Sequence, residues 1–510
     1  MLINETEYRS KVLGCWLGKN IGGTLGAPFE WRRQVNNVSF YTQDLGGEPL
    51  PNDDLDIQLL WLIALEEKGI DISAQLLSEY WVLYVTPHWS EYGTAKVNMR
   101  SGLQPPLCGT LNNDYKDSCG AFIRSEIWAC ITPGFPQLAA HYAYEDAILD
   151  HGYGEGTYAE VFTATMESAA FVEKDLRTLI EIGLSYIPAD CGVAQAVKTA
   201  MTAHAAGKSW REARDEILTH HRGSAFFHLL SHVSDEDRQR GFAEGKRGWD
   251  APSNIGMLVI SLLYGRGNFG DTVCTAVNCG EDTDCTGATA GSIFGIVHGA
   301  EAIPQKWVTP IGRTIKTACL NLGELGHFGN QLPQDVDDLT ERTMHIARQV
   351  LLRHKLPLAI APQKPTDLSD VNVEQLKAGV LAQSLYENLN GPVYHFDFFD
   401  VGVDYGDAPT IRDHTPKTIR LRIHNTYKVQ ANLNLHWYAP ENWRLTPSSY
   451  ATVICLPPRL GHQPTVEFQV EAERVDRPMN RLVVEITIDG RPTVMLVPIT
   501  LLNGNIEPVA

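Results

Sequence analysis

Two acidic segments, far apart in the chain, carry residue types that do chemistry together. Asn52-Asp53-Asp54-Leu55-Asp56 leads into the apolar run IQLLWLIALEEKG, and Gly280-Glu281-Asp282-Thr283-Asp284-Cys285 leads into a small, uncharged run that reaches Gly299. Each segment reads as a helix start. Asn52 or Asp53 suits an N-cap with Gly69 as the stop, and Thr283, Asp284 and Thr286 suit a cap and first turn. Carboxylates also sit well at the positive end of a helix. Taken singly, each acidic pair merely caps its own helix. Brought together, Asp53, Asp54, Asp282 and Asp284 would repel one another, and burying several carboxylates without cations is very costly. A bound divalent cation removes that penalty. Oxygen ligands select hard Mg²⁺, Mn²⁺ or Ca²⁺ over zinc.

The elements behind the acids must therefore be rigid and close-packed. Gly287, Gly291, Gly295 and Gly299 recur at every fourth position, and Gly14, Gly18, Gly22 and Gly26 repeat the pattern near the N-terminus. Positions four apart share one helix face. A glycine inside a helix costs roughly 0.5–1 kcal/mol against alanine, so such ridges belong where another backbone comes very near. The two ridges are expected to pack on each other or on a shared neighbour. The helix after Asp53 is apolar nearly all round, which suits burial on several sides.

The rest of the chain divides by periodicity. Helices are expected over 5–27, 53–68, 73–90, 121–131, 136–149, 157–172, 175–187, 190–206, 252–266 and 269–277, with 91–120 rich in loop and 208–245 helical in part. Few strand signals precede residue 355. Residues 356–366 carry three prolines and read as a linker, with a short helix over about 372–388. The period then becomes two. Ile419, Leu421 and Ile423 alternate with Arg420 and Arg422, and Val466, Phe468, Val470 and Leu482, Val484, Ile486 behave alike. Asp489-Gly490 marks a hairpin. The expected organisation is multidomain: an all-α domain over 1–355, a linker and short helix over 356–390, and a C-terminal β-sandwich over 391–510.

Composition narrows the function. The 510 residues are 44% hydrophobic and 20% charged, ordinary for a globular chain. A net charge of −19 argues against a nucleic-acid or anionic-membrane partner. There is no signal-like start, no run of about 18 apolar residues, and no CxxC pair among ten scattered cysteines; a cytoplasmic location with free thiols is expected. An oligomer is compatible with all of this.

The pattern resembles the ADP-ribosylglycohydrolase family, including its dinitrogenase-reductase-activating members. The family's G-A-P-x-E matches Gly26-Ala27-Pro28-Phe29-Glu30, its T-D-D-T corresponds to Asn52-Asp53-Asp54-Leu55, and its G-G-D-T-D-T to Gly280 through Cys285. Gly120 to Arg124 resembles G-A-x-x-R, Asp146, Ala147 and His151 resemble D-A-x-x-T-H, and Ile303, Pro304 and Trp307 match I-P-x-x-W. The likeness covers roughly residues 8–350 and leaves the β-rich tail outside. It implies an all-α fold holding one or two Mg²⁺ or Mn²⁺ ions that orient a ribosyl group and a water for hydrolysis of an N- or O-glycosidic bond. Residue by residue it implies Asn52, Asp53, Asp54, Asp282, Asp284 and Cys285 as the metal set. Glu30, Asp53 and Asp284 are implied as catalytic carboxylates, and Arg124 and His151 as substrate contacts. The implied partner is a small-molecule or protein-linked ADP-ribosyl or sugar substrate. Asn52 and Cys285 stand where the family has threonine, and Ser118-Cys119-Gly120 where it has G-N-G. These departures mark a divergent subgroup, with a different sugar or a non-catalytic binding role as the alternatives.

Weaker candidates complete the reading. His221, His228 and His232 share a stretch without a carboxylate motif, Cys274, Cys279 and Cys285 lack zinc spacing, and Trp89, Tyr92 and His141 are core or pocket residues.

Overall fold

The computed structural model describes residues 1–222, 232–242, 249–325, 329–378, 384–386, 390–461 and 463–506. The chain forms two units, Met1–Thr94 with Asn112–Tyr386, and Ala95–Leu111 with Glu387–Ala510. The first is helical. The helices that place functional groups are α1 (Glu5–Gly26), α2 (Asp53–Lys68), α3 (Ser90–Arg100), α4 (Pro136–Ala147), α5 (Glu155–Ala169), α6 (Ala251–Tyr264) and α7 (Thr283–His298). Among the described residues no helix is long and apolar enough to cross a membrane.

The two glycine ridges do pack on each other, antiparallel. A Cβ at Gly18 would lie 2.0 Å from the Gly291 carbonyl oxygen, one at Gly22 1.9 Å from that of Gly287, and one at Gly295 2.0 Å from that of Gly14. Contacts this short leave room for hydrogen only, so the spacing of four is the mould for backbone-to-backbone contact. The α1–α7 pair is buried on all sides except its ends.

Several boundaries differ from the sequence reading. Residues 91–100, expected in loop, belong to α3. Its sequence SEYGTAKVNMR has no clean 3.6 period, and Gly93 lets the helix start fold back on the His88 carbonyl, which a Cβ would approach to 2.1 Å. The helix expected over 73–90 stops at Tyr84, and within the one expected over 372–388 Val373–Leu376, Ser384 and Leu385 are helical, with 379–383 and 387–389 outside the described residues. Between 208 and 245, Trp210–His220 and Asp235–Gln239 are helical, and 223–231 and 243–248 lie outside the described residues. The expected linker holds a short strand, Ala359–Ala361, paired in parallel with Leu2–Asn4.

In the second unit the strands are β1 (Val393–His395), β2 (Phe399–Asp404), β3 (Thr410–Ile411), β4 (Lys417–Asn425), β5 (Ala431–Tyr438), β6 (Trp443–Thr446), β7 (Tyr450–Cys455), β8 (Thr465–Ala472), β9 (Met479–Ile488) and β10 (Val494–Asn503). They make two five-stranded sheets, β6-β8-β4-β2-β1 and β7-β5-β9-β10-β3. Alternation decides which side faces inward: Ile419, Leu421 and Ile423 are buried in one core with Leu433, Leu435, Val484 and Ile486 of the other sheet. The Asp489-Gly490 hairpin joins β9 to β10, with Gly490 at φ +74°.

Candidate active site

Helix packing brings the ends of three helices to one place. At the close of α1, a Cβ on Gly26 would sit 2.2 Å from the Thr283 carbonyl oxygen, and Thr283 Oγ1 donates to the Gly26 carbonyl at 2.8 Å. The first turn of α7 is thus pinned to the last turn of α1. One 3₁₀ turn, Ala27–Phe29, then delivers Glu30 to the mouth of α7. On the other side Gly23 makes room for Asn52, whose amide nitrogen would lie 2.5 Å from a Cβ there. Asn52 Oδ1 caps α2 by accepting from the Asp54 N–H at 2.8 Å.

The hydroxyls of the α7 start do not cap it as the sequence reading had them. Thr283 donates to Gly26, Thr286 donates to the Asp282 carbonyl at 2.9 Å, and the Asp282 side chain makes no cap bond. Glu281 is removed from the cluster by a buried two-point pair with Arg33, at 2.6 and 2.9 Å. What remains converges. Ligand atoms of Glu30, Asp282 and Asp284 all lie within 4.8 Å of one another, and so do those of Asp54, Asp284 and Cys285. Asp284 belongs to both groups. Asp53 lies at the cavity wall, where Tyr92 Oη donates to its Oδ2 at 3.2 Å.

The electrostatics are those of a cluster that calls for cations. Burial, then the neighbouring acids, push Glu30 up to about 10. Burial and Asp284 raise Asp53 to about 6. Asp54, Asp282 and Asp284 are raised for the same first reason, burial. The Cys285 thiol is pushed up by burial and by Asp282, Asp54 and Asp284. Both oxygens of Asp54 and the Oδ1 atoms of Asp282 and Asp284 are buried with no hydrogen-bond donor among the described residues. Buried carboxylate oxygens are normally satisfied. The all-oxygen group Glu30, Asp282, Asp284 therefore fits a hard divalent ion. The thiol makes the second group a softer, mixed set.

A cation of the chain itself reaches this cluster. Lys19, in the middle of α1, holds the Glu126 carboxylate at 2.7 Å and the Ile123 carbonyl at 2.6 Å, with Asp54 Oδ1 at 3.9 Å. Gln58 ties Glu126 to the Asp54 carbonyl. Burial works against the Lys19 charge, and Glu126 and Asp54 more than offset it. Lys19→Met is expected to destabilise the folded protein by about 3–5 kcal/mol, the usual cost of stripping one partner from a buried pair. Chemical denaturation checks this; a loss below about 1 kcal/mol would show that Lys19 does not neutralise the cluster.

The acids open into a cavity of about 580 Å³ whose walls include Trp31, Trp89, Glu91, Tyr115, Ser118 and Trp249. Trp31 and Trp249 meet edge to face at 5.6 Å. The Ala318-Cys319 wall is held by Asp56, which accepts both backbone N–H groups at 2.6 Å. A cavity of about 660 Å³ elsewhere in the unit, with Phe135, Tyr186 and Leu376 in its walls, has Asp370 as the one carboxylate among its described lining residues, so size does not select the site.

Arg124 and His151, expected at the substrate, stand behind this wall. Arg124 is 0% exposed and binds Asp150 at 2.6 and 3.0 Å, Asp146 at 2.8 Å and the Gly120 carbonyl at 2.7 Å. His151 is 0% exposed as well, between Asp150 and Ser118. Full burial among fixed partners keeps both side chains off the cavity surface. Trp89 and Tyr92 are at the site, while the His141 ring lies tilted 6.0 Å from Tyr142 and outside the cavity lining. His221 bonds Thr199, His232 lies in an exposed strand position, and His228 lies outside the described residues. All ten cysteines are buried, and none is joined in a disulfide.

Sequence reasoning missed Lys19, Glu126, Glu91 and the Trp31–Trp249 pair. Lys19 had a signal: it is a charge set between Gly18 and Gly22, inside a ridge that has to be buried. Glu91 and the tryptophans come from segments brought in by tertiary packing alone.

A family model described as ADP-ribosylglycohydrolase matches residues 4–347. No curated protein matches the chain. Among solved structures, one described as an ADP-ribosylglycohydrolase-related protein complex is 17% identical, covers 68% of this chain and 99% of its own, and has a TM-score of 0.41. Shorter likenesses are to a FixG-related protein from Vibrio parahaemolyticus, 10% identical over 21% of this chain and 99% of that one with a TM-score of 0.18, and to WR4, a C. elegans MSP family member, 12% identical over 20% and 97% with a TM-score of 0.15.

Proposed function

Because the chain belongs to the ADP-ribosylglycohydrolase family, we propose that it is a divalent-cation-dependent hydrolase that cleaves an N- or O-glycosidic bond of an ADP-ribosyl or related ribosyl group. Family membership supports glycoside hydrolysis in general. One observation carries the metal-dependent reading: buried carboxylate oxygens from two helix starts, without donors among the described residues, meet at the floor of one cavity.

Glu30, Asp282 and Asp284 would hold one Mg²⁺ or Mn²⁺, and Asp54, Asp284 and Cys285 a second. When bound, such ions bind sugar hydroxyls and lower the pKa of a water. The chain's own residues do the rest. Asp284 belongs to both groups and sets their separation. Asp53, outside both groups and bonded by Tyr92, is placed to orient the water and accept its proton. The tryptophans offer aromatic faces to a sugar ring.

Turnover of ADP-ribosylated arginine, ADP-ribosylated serine and small ADP-ribosyl compounds, with Mn²⁺ or Mg²⁺ and again in chelator, tests this. No turnover of any ribosyl or glycosyl compound with either metal would sink it. A second reading keeps the chemistry on a different sugar. Its basis is that the described lining residues include four aromatics, Trp31, Trp89, Trp249 and Tyr115, and no lysine or arginine to pair a pyrophosphate. Release of neutral sugars in preference to ADP-ribose would select it.

Metal binding has its own readout. Mn²⁺ at about a hundred times its Kd is expected to stabilise the fold by about 2.7 kcal/mol. Protons compete for the same carboxylates, so the rise in melting temperature is larger at pH 8 than at pH 5.5. A melting temperature indifferent to Mg²⁺, Mn²⁺ and Ca²⁺ at both pH values would remove the metal from the proposal.

A further inference from the structure

We propose that Glu91 delivers the proton to the leaving atom of the glycoside, and that Ser118 conducts that proton between Glu91 and a buried reserve on His151. This rests on the reading of the cavity as a glycoside-hydrolysing site.

Glu91 stands in the first turn of α3 and its side chain lines the cavity. Gly120 is what admits it. A Cβ at Gly120 would lie 2.1 Å from Glu91 Oε1 and 3.3 Å from His151 Cε1. The carboxyl group therefore lies directly on the backbone of residue 120, next to the imidazole. It is hydrogen-bonded to Ser118, which also lines the cavity. Ser118 Oγ is 3.1 Å from His151 Nε2, and His151 Nδ1 is 2.8 Å from Asp150 Oδ1. Arg124 grips both oxygens of Asp150.

The order of charges in this chain fixes which atoms move protons. Burial alone would raise Asp150, but Arg124 and His151 hold it down at about 2. Asp150 is then an acceptor at all working pH, and Nδ1 of His151 keeps its hydrogen. Nε2 is left as the nitrogen that gains or loses one. A serine hydroxyl has one hydrogen and can accept. Two arrangements therefore satisfy every group. In one, protonated Glu91 donates to Ser118 and Ser118 donates to Nε2. In the other, protonated His151 donates to Ser118 and Ser118 donates to the Glu91 carboxylate. They interconvert by two proton hops with no heavy atom displaced.

The groups facing Glu91 are His151 and Asp150 from across the wall, Tyr92 and Tyr115, and the Cys119 thiol. Burial, opposed by His151 and reinforced by Asp150, brings Glu91 up to about 7, where a general acid is effective near neutral pH. The step balances without another reactant. The bond from the sugar carbon to the leaving atom breaks as that atom takes the proton of Glu91. Water forms the new carbon–oxygen bond and gives one proton to Asp53, which passes it to solvent, and the Glu91–His151 pair regains one proton from solvent.

A leaving-group series tests the donor. Glu91→Gln, in the full chain with Mn²⁺, is expected to slow release of phenol from phenyl ribosides by about 10²–10⁴-fold. Release of 4-nitrophenol from the nitrophenyl analogues, which needs no acid, should fall by less than about 10-fold. Equal losses on both would overturn the donor role. The relay has a readout that needs no substrate. In labelled protein, protonation of the Glu91 carboxyl, followed at its carbon, is expected to move the His151 Nε2 resonance with it, and Ser118→Ala should abolish that response. A Nε2 resonance indifferent to the state of Glu91 in the unaltered protein would overturn the relay. If no riboside of any kind turns over, the hydrolase reading falls, and the coupled response still decides the proton path.

Discussion

Asp284→Asn is expected to yield a folded protein with no metal-dependent stabilisation and no measurable turnover. Asp284 is the one carboxylate common to both groups of converging ligand atoms. An amide keeps its size but loses the charge that draws a divalent ion. Outer-shell partners of a metal cost about 10–100-fold in affinity when removed, and a shared ligand should cost more than that. The stability effect runs the other way. Asp284 stands among the carboxyls that repel Glu30, Asp53 and Asp282. Neutralising it relieves that repulsion, so in chelator the variant should melt at or above the temperature of the unaltered protein. Melting curves with and without Mn²⁺, beside turnover, separate these statements. A variant that still gains stability from Mn²⁺ would show that Asp284 does not bind the ion, and a variant that melts earlier in chelator would show that the cluster is not under mutual repulsion.

Gly22→Val is expected to cost about 3 kcal/mol or more and to abolish activity with it. Overpacking usually costs about 1–3 kcal/mol because a side chain or a loop gives way. At Gly22 the obstacle is the Gly287 carbonyl, 1.9 Å from any Cβ, and it belongs to the backbone of a helix buried along its length. Relief requires prising α1 from α7, which also separates Gly26 from Thr283 and withdraws Glu30 from the mouth of α7. With folding stabilities of about 5–15 kcal/mol, much of the helical unit's margin is removed. Denaturation and metal-dependent melting check it. A stability loss under about 1 kcal/mol would mean the two ridges can part without consequence.

Much of this protein is legible in its residues alone. Glycines at every fourth position state their own requirement, since only a close backbone explains four of them in a helix. The acids after Pro51 and after Gly280 announce helix starts by type alone, and alternation in Ile419–Ile423 announces a sheet face because side chains in a strand point to opposite sides. These are local rules, and local rules survive in sequence. Family likeness rested on the same short motifs, and the match over residues 4–347 agrees with it.

What the tertiary structure alone decided is which groups face each other. Glu281 and Asp282 are neighbours in sequence, yet Arg33 takes the first out of the cluster and nothing among the described residues donates to Oδ1 of the second. The family likeness implies Arg124 as a substrate contact, but Asp146 and Asp150 close around it. Lys19, Glu91 and Ser118 acquired their roles from partners distant in the chain. The physical reason is common to all of them. Hydrophobic period and helix caps are set by residues a few positions apart, whereas the charge state and reach of a buried polar group are set by whatever the fold places within a few ångströms of it.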